Sequence, residues 1–178
     1  LNDVTLIPKK GIQEWKKFCE GRDNIEVSFE PKQVVLRDNQ AVMVIRLKHG
    51  EFPQYSAIID AIQLTNCLKI NRIPFLESLK RINLFTEDIF HTIQLKIDFD
   101  KMILSSQNAD LGNAKDEQDI SYSGEPLILG FNCRYFIETL QVMECETVEA
   151  YINSNSSPCL MKSEEDKGFM SIIMPMQL

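Results

Sequence analysis

The stretch Leu127-Ile128-Leu129-Gly130-Phe131, with the segment Asn132 to Met143 that follows it, decides how this chain is read. Five residues of β-type composition run without a loop into a segment whose apolar residues recur at helical spacing. At about 100° per residue, Cys133, Phe136, Ile137, Leu140 and Met143 share one face. Asn132 stands where an N-cap belongs, because its side-chain oxygen can accept a first-turn N–H. A short strand therefore leads directly into an amphipathic helix.

The same pattern occurs twice upstream. Cys67-Leu68-Lys69-Ile70 precedes a predicted helix at Pro74 to Leu84, with Phe75, Leu79 and Ile82 inward and Pro74 suited to the first turn. Val4-Thr5-Leu6-Ile7-Pro8 reads as a strand before a predicted helix at Gly11 to Glu20, whose inner face is Ile12, Trp15, Phe18 and Cys19. Helix starts recur about every 60 residues, a repeat the size of one supersecondary unit.

Strands are predicted at Glu26–Phe29, Val42–Leu47, Thr92–Ile97, Lys101–Leu104, Val148–Ile152 and in the last residues. Lys48–Pro53 and Ser121–Pro126 close their units alike. Ser105 to Asp119 is polar and weakly patterned, which predicts a loop and an exposed acidic edge. Helices with one apolar face need a sheet to bury it, so the expected fold is α+β, with helices on one face of antiparallel sheets.

The 178 residues and an apolar fraction of 44% suit one or two domains with a packed core. A net charge of −7 excludes blanket attraction to nucleic acid, while a local basic patch stays open. The five cysteines form no CxxC pair, and His49 and His91 lie near none of them, which predicts reduced, mostly buried thiols in a cytosolic protein. No apolar run approaches the roughly 20 residues of a membrane span, and no signal peptide opens the chain. A start at Leu1 rather than methionine points to a fragment. The closing run, Met170 to Leu178, is apolar and breaks at Pro175. Methionine suits surfaces that accept varied partners, so a terminal strand is expected in a sheet, with its tail lining a hydrophobic site.

Opposite the apolar face of the first helix lie Lys10, Gln13 and Lys17, flanked by Lys9 and Lys16; Lys80 and Arg81, then Arg134 and Gln141, take the comparable side of the other two. These read either as ordinary solvated faces or as a phosphate-facing surface. Leu84 and Phe85 end the second helix and read as a staple onto a neighbouring loop, or else as an interface anchor. Catalytic signals are poor: no Gly-rich phosphate loop, HExxH or GxSxG occurs. Asp98 and Asp100 read as turn residues, and Glu164-Glu165-Asp166 as a hairpin tip. No metal or cofactor is expected, and an enzyme built on Cys133 or His91 ranks behind the binding readings.

In order and spacing, the marks Ile7-Pro8-Lys9-Lys10-Gly11, Gly50-Glu51-Phe52-Pro53-Gln54-Tyr55, Tyr122-Ser123-Gly124, Gly130-Phe131-Asn132 and Met174-Pro175-Met176-Gln177-Leu178 resemble the C-terminal half of the bacterial DNA polymerase III β subunit, the sliding clamp. The resemblance implies a DNA-clamp fold of repeated strand-helix-strand units, with residues 1–61 the second half of a middle domain and 62–178 a complete C-terminal domain. It implies a cytoplasmic, non-catalytic processivity factor that encircles duplex DNA as a head-to-tail homodimer ring when full length. Lys9, Lys10, Lys17 and Arg81 match pore positions facing DNA. Pro53, Ile58, Asn132, Tyr135, Ser156, Pro158, Ile172, Met174, Pro175 and Met176 match a pocket for short linear motifs of the polymerase III catalytic subunit, the clamp loader and repair polymerases. Leu84 and Phe85 match the apolar pair of the ring joint, which displaces the staple reading. Gln177 departs from the arginine expected there. The alternative is a stand-alone peptide-binding module that does not encircle DNA.

Overall fold

The computed structural model describes residues 5–86 and 90–178; Val4, the first residue of the expected opening strand, lies outside them. The chain divides into two compact units, Leu1–Ser56 and Ala57–Leu178.

In the smaller unit, α1 (Lys9–Cys19) is followed by β1 (Glu26–Phe29), β2 (Gln33–Arg37) and β3 (Val42–Arg46), an antiparallel meander. Val34, Leu36 and Ile45 are its buried apolar residues. Gly11 lets α1 sit close on β3, since a Cβ there would lie 2.5 Å from Cγ2 of Ile45. Trp15 meets Phe29 with ring centroids 6.4 Å apart. The expected inner face of α1 is only partly covered, however. No residue of the helix is buried, and Ile12 keeps 47% of its surface exposed. One three-stranded sheet is too little apolar surface to cover it.

The short helix α2 (Tyr55–Ala61) precedes the larger unit's first strand, β4 (Cys67–Asn71). That strand runs into α3 (Arg72–Asn83), then β5 (Thr92–Ile97), β6 (Lys101–Asn108) and β7 (Gly112–Asp119). After β8 (Ser121–Tyr122) the pattern restarts: β9 (Leu127–Asn132), α4 (Cys133–Val142), β10 (Thr147–Tyr151), β11 (Cys159–Lys162) and β12 (Met170–Ile173).

The two halves interlock. The strand before α3, β4, pairs with β10 in the sheet β12-β11-β10-β4-β8, whereas the strand before α4, β9, pairs with β5 in the sheet β7-β6-β5-β9. The first N–H of each helix also reaches the other half: Arg72 N donates to Glu146 O, and Cys133 N to His91 O, both at 2.9 Å. The helices pack on one another, with Phe75 and Phe136 centroids 5.9 Å apart and Phe131 5.0 Å from Phe136. Phe75, Leu79, Ile82, Phe136, Leu140 and Met143 share one core cluster with residues of both sheets. Each such side chain contributes about 1.5–3 kcal/mol relative to exposure.

This interlock accounts for a correction. Residues 5–8 are not a strand; Leu6 O accepts one bond, from Lys48 N at 2.9 Å. In the larger unit the leading strand pairs in the opposite half's sheet, and the described residues of the smaller unit form a single sheet. Ser105–Asp119 is a second correction, because it holds the long β6–β7 hairpin rather than a loop. Its turn is held by Asn108, whose Oδ1 accepts from the N–H groups of Asp110 and Leu111. β7 is an edge strand carrying acidic residues, as the acidic edge anticipated. The helix α3 starts two residues before the predicted Pro74, where a missing N–H costs nothing. The remaining helix and strand positions agree to within a residue or two, β6 running on to Asn108. Asn132 caps α4, accepting from Arg134 N at 2.9 Å.

Candidate functional site

After β12 the chain leaves the five-stranded sheet at Met174 and crosses to the other one. Met176 N donates to Gly130 O at 2.7 Å, a single bridge onto β9. Gly130 allows the crossing, since a Cβ there would lie 2.8 Å from Leu178 Cδ2 and 2.9 Å from Met176 O. The tail is thus pinned at both sheets.

Met174, 56% exposed, lines a cleft of about 580 Å³ together with Ala57, Ile58, Ala61, Ile62, Gln63, Asn153, Ser157 and Pro158. Asn153 sets its width. Its Nδ2 donates to Gln63 O at 2.6 Å, and its Oδ1 accepts from Thr65 Oγ1 at 2.9 Å and from Asn66 N at 3.3 Å. The 154–157 loop is held by Ser154 Oγ, which lies 2.7 Å from Ser157 Oγ and 3.3 Å from Ser156 Oγ. The wall is apolar with a few fixed polar groups, the chemistry that captures apolar side chains of a peptide. A second cleft of about 550 Å³ lies over β5, β6 and β7, floored by Gln94, Ser105, Gln107 and Asn113 with Leu178 at its side. Hydroxyl and amide groups there are well solvated and give apolar capture little to work with.

Of the expected pocket residues, Ile58, Pro158 and Met174 line the first cleft. Ser156 is exposed in the adjoining loop, and Ile172 pairs with Leu160 in β12. Pro175 and Met176 are half-buried in the crossing tail. Asn132 and Tyr135 stand at the start of α4, two and five residues beyond the Gly130 bridge, with Tyr135 55% exposed. Pro53 belongs to the smaller unit. Ala57, Ala61, Ile62, Gln63, Asn153 and Ser157 were not anticipated. Ile58, Ala61 and Ile62 have helical spacing, i, i+3 and i+4, but in a run too short to be read as a helix from sequence.

On the helix faces, Lys9, Lys10 and Lys17 are exposed on α1 and Arg81 on α3. Lys17 Nζ lies 2.9 Å from Glu14 Oε1; that hydrogen bond, with the charge of Glu14, raises its pKa. Lys80 Nζ lies 2.8 Å from Glu77 Oε1. Arg81 donates from Nε at 3.1 Å and Nη2 at 2.5 Å to Asp116 Oδ2 on β7, and from Nη2 to Ser78 Oγ at 2.9 Å. Burial acts to raise the Asp116 carboxyl, but hydrogen bonds from Arg81, Ser78 and the Glu117 N–H outweigh it and hold it below the usual carboxylate range. At the end of α3, Leu84 is 72% exposed and Phe85 half-buried, so Leu84 is no core staple.

Cys19 is exposed and Cys67 half-buried, while Cys133, Cys145 and Cys159 are buried. Burial pushes the thiols of Cys133 and Cys159 up to about 12, and Cys133 Sγ donates to Leu79 O at 3.3 Å. Buried His91 has Nδ1 3.1 Å from Thr86 Oγ1. Among the described residues no cluster of three or more His, Cys, Asp or Glu could hold a metal, and no helix is long and apolar enough to cross a membrane.

Two interlocked helix–sheet halves, with a tail crossing between their sheets, are the architecture of a sliding-clamp domain. The comparisons agree. Residues 62–177 match the family described as DNA polymerase III beta subunit, C-terminal domain, and the chain belongs to that family. It is 28% identical to the beta sliding clamp of Rickettsia felis over 99% of its own length and 50% of the relative's. With that of Haemophilus influenzae it shares 24% over 99% and 48%. The crystal structure of the Thermotoga maritima beta subunit superposes with a TM-score of 0.72 at 26% identity, covering 98% of this chain and 48% of that one. A Bartonella birtlesii sliding clamp bound to griselimycin shares the fold, with a TM-score of 0.77 at 23% identity over 99% and 48%. The chain spans about half the length of the curated relatives it matches.

Proposed function

We propose that the chain serves as part of a DNA replication processivity factor: a non-catalytic, cytoplasmic element that holds duplex DNA electrostatically and recruits replication proteins through the Met174 cleft. The observation that carries this is the cleft itself, apolar-walled and fixed by Asn153, in a member of the beta subunit family. In this reading residues 1–61 are the second half of a middle clamp domain and 62–178 the C-terminal one. Asn132, Tyr135, Ser156, Ile172, Pro175 and Met176 form the surroundings of the cleft, with Pro53 joining them in the complete protein. The partners are short linear motifs of the polymerase III catalytic subunit, the clamp loader and repair polymerases. Exposed Leu84 with Phe85 anchors the joint of a homodimeric ring. Lys9, Lys10, Lys17 and Arg81 face the phosphates, a contact without base readout that leaves the ring free to slide.

A second reading, a peptide-binding module that acts without encircling DNA, is favoured by one observation: every lining residue of the cleft lies within Ala57–Leu178. Titration of the chain with a fluorescent peptide carrying a Gln-x-x-Leu-Phe-like motif tests the site. Met174→Ala should weaken binding about tenfold through lost apolar contact, and Tyr135→Ala should weaken it less. Unchanged affinity in both variants removes the assignment. Lys10→Glu with Lys17→Glu should weaken salt-sensitive DNA association under the first reading and leave it unchanged under the second.

A further inference from the structure

We propose that three carboxylates, Glu14, Glu77 and Asp116, set how weakly this chain holds DNA, by occupying Lys17, Lys80 and Arg81 in competition with phosphate. The inference rests on the DNA-facing role of these helix faces and adds what regulates it.

The basic faces are charge-compensated. Glu14–Lys17 and Glu77–Lys80 are i, i+3 pairs on exposed helix surface, at 2.9 and 2.8 Å. Exposed pairs of this kind are weak and screened by solvent, so a phosphate can displace the carboxylate. The third pair is firmer and comes from another element. The alternation of β7 turns Asp116 and Gln118 toward α3, where Asp116 binds Arg81 and Gln118 Nε2 donates to Ser78 Oγ at 2.6 Å. Ser78 in turn accepts from Arg81, so the guanidinium is held flat by two residues. The Asp116 side chain is only 23% exposed, and its carboxyl stays ionised well into acid.

A cation already neutralised by the protein's own carboxylate brings little net charge to DNA, and displaces fewer condensed counterions when it moves to a phosphate. Lys10 and Lys16, which make no ion pair among the described residues, keep their full charge. The chain then grips DNA through few uncompensated cations, a contact loose enough to slide.

The test is salt-dependent binding of the full chain to a labelled random-sequence duplex, for wild type, Asp116→Asn, Glu77→Gln and Lys10→Glu. Each freed cation should steepen the slope of log K against log salt by about 0.9. That makes the affinity lost between about 50 and 200 mM salt about threefold greater. Equal slopes for wild type, Asp116→Asn and Glu77→Gln, with Lys10→Glu weaker, overturn the inference and leave the DNA-contact reading standing. Indifference to Lys10→Glu sinks that reading and this inference with it. If Asp116→Asn lowers the melting temperature, Glu77→Gln decides alone, because Glu77 is exposed on the helix surface: a steeper slope supports the proposal, and an unchanged one refutes it.

Discussion

The smaller unit and each half of the larger one carry the same elements, a helix followed by three antiparallel strands, yet their helices fare differently. In the larger unit Phe75, Leu79, Phe136 and Leu140 are 2% exposed or less, while α1 buries no residue at all. Amphipathic sequence is present in all three. The difference is that α3 and α4 cover one another, and each half lends its leading strand to the other's sheet. A single helix–meander unit supplies a face to be buried, and its pairing with a second unit supplies the burial. The core of this fold is therefore a property of pairs.

The largest expected effect follows directly. Leu79→Ala should lower the stability of the larger unit by about 2–5 kcal/mol, whereas Ile12→Ala, half in water already, should cost less than about 1 kcal/mol. The two units can be followed separately, because Trp15 is the chain's one tryptophan and reports on the smaller unit, while most helix and strand signal comes from the larger. Urea unfolding should show the Trp15 fluorescence transition before the circular dichroism transition. Leu79→Ala should move only the second. Coincident transitions that shift together would mean that the units share one cooperative core, and the contrast would collapse.

A smaller effect is expected where the larger unit's two sheets are tied by the tail. Gly130→Val places branched carbons where Leu178 and Met176 now lie. The tail should be pushed off β9 at a cost of about 1–3 kcal/mol, typical of overpacking. If Met174 is the recruiting surface, motif-peptide affinity should fall with it, by about tenfold. Retained stability together with retained affinity would show that the crossing tail contributes to neither.

Much of this was legible. The three amphipathic helices and the strands with apolar alternation were written in the periodicity, because each carries a continuous apolar stripe whether or not the fold buries it. The hairpin β6–β7 was hidden because residues such as Gln107, Asn113, Lys115 and Glu117 face water, so the hydropathy of an edge hairpin imitates that of a loop. The opening strand at residues 4–8 read clearly, yet a strand exists only where a partner strand waits, and no local pattern encodes that. The cleft was legible at its tail, where methionines flank a proline, and at Ile58 and Pro158 through family likeness. Its other wall was not. Seven residues of α2 are too few for periodicity to distinguish helix from loop, and Asn153 acts through backbone groups some 90 positions away in the chain.

The subtlest test of the contrast uses acid, since each unit holds carboxylates differently. In the larger unit Asp166 accepts from the N–H groups of Glu144 and Cys145 at the end of α4. Burial acts to raise its carboxyl, but the side chain of Cys145 and those two N–H groups outweigh it and hold it below the usual range. Asp116, Glu117 and Glu149 are lowered there as well, whereas among the described residues of the smaller unit Asp38 is the lowered carboxylate, through the N–H of Gln40 and the Arg22 side chain. A carboxyl whose folded pKa lies below its unfolded value of about 3.9 stabilises the fold above that value, and the contribution is lost as pH falls through the folded pKa. With four lowered carboxylates described in the larger unit and one in the smaller, stability of the larger unit should drop more steeply below about pH 4. Asp166→Asn should flatten the circular dichroism series taken between pH 7 and pH 3 while leaving the Trp15 series unchanged, and Asp38→Asn should do the reverse. Each variant lacks the extra stabilisation of the ionised carboxylate at every pH, so its loss at neutral pH should match the flattening and its stability should converge on wild type in acid. Equal flattening of both signals by either variant would show that acid acts on the whole chain at once, and the separate electrostatics of the two units would have to be given up.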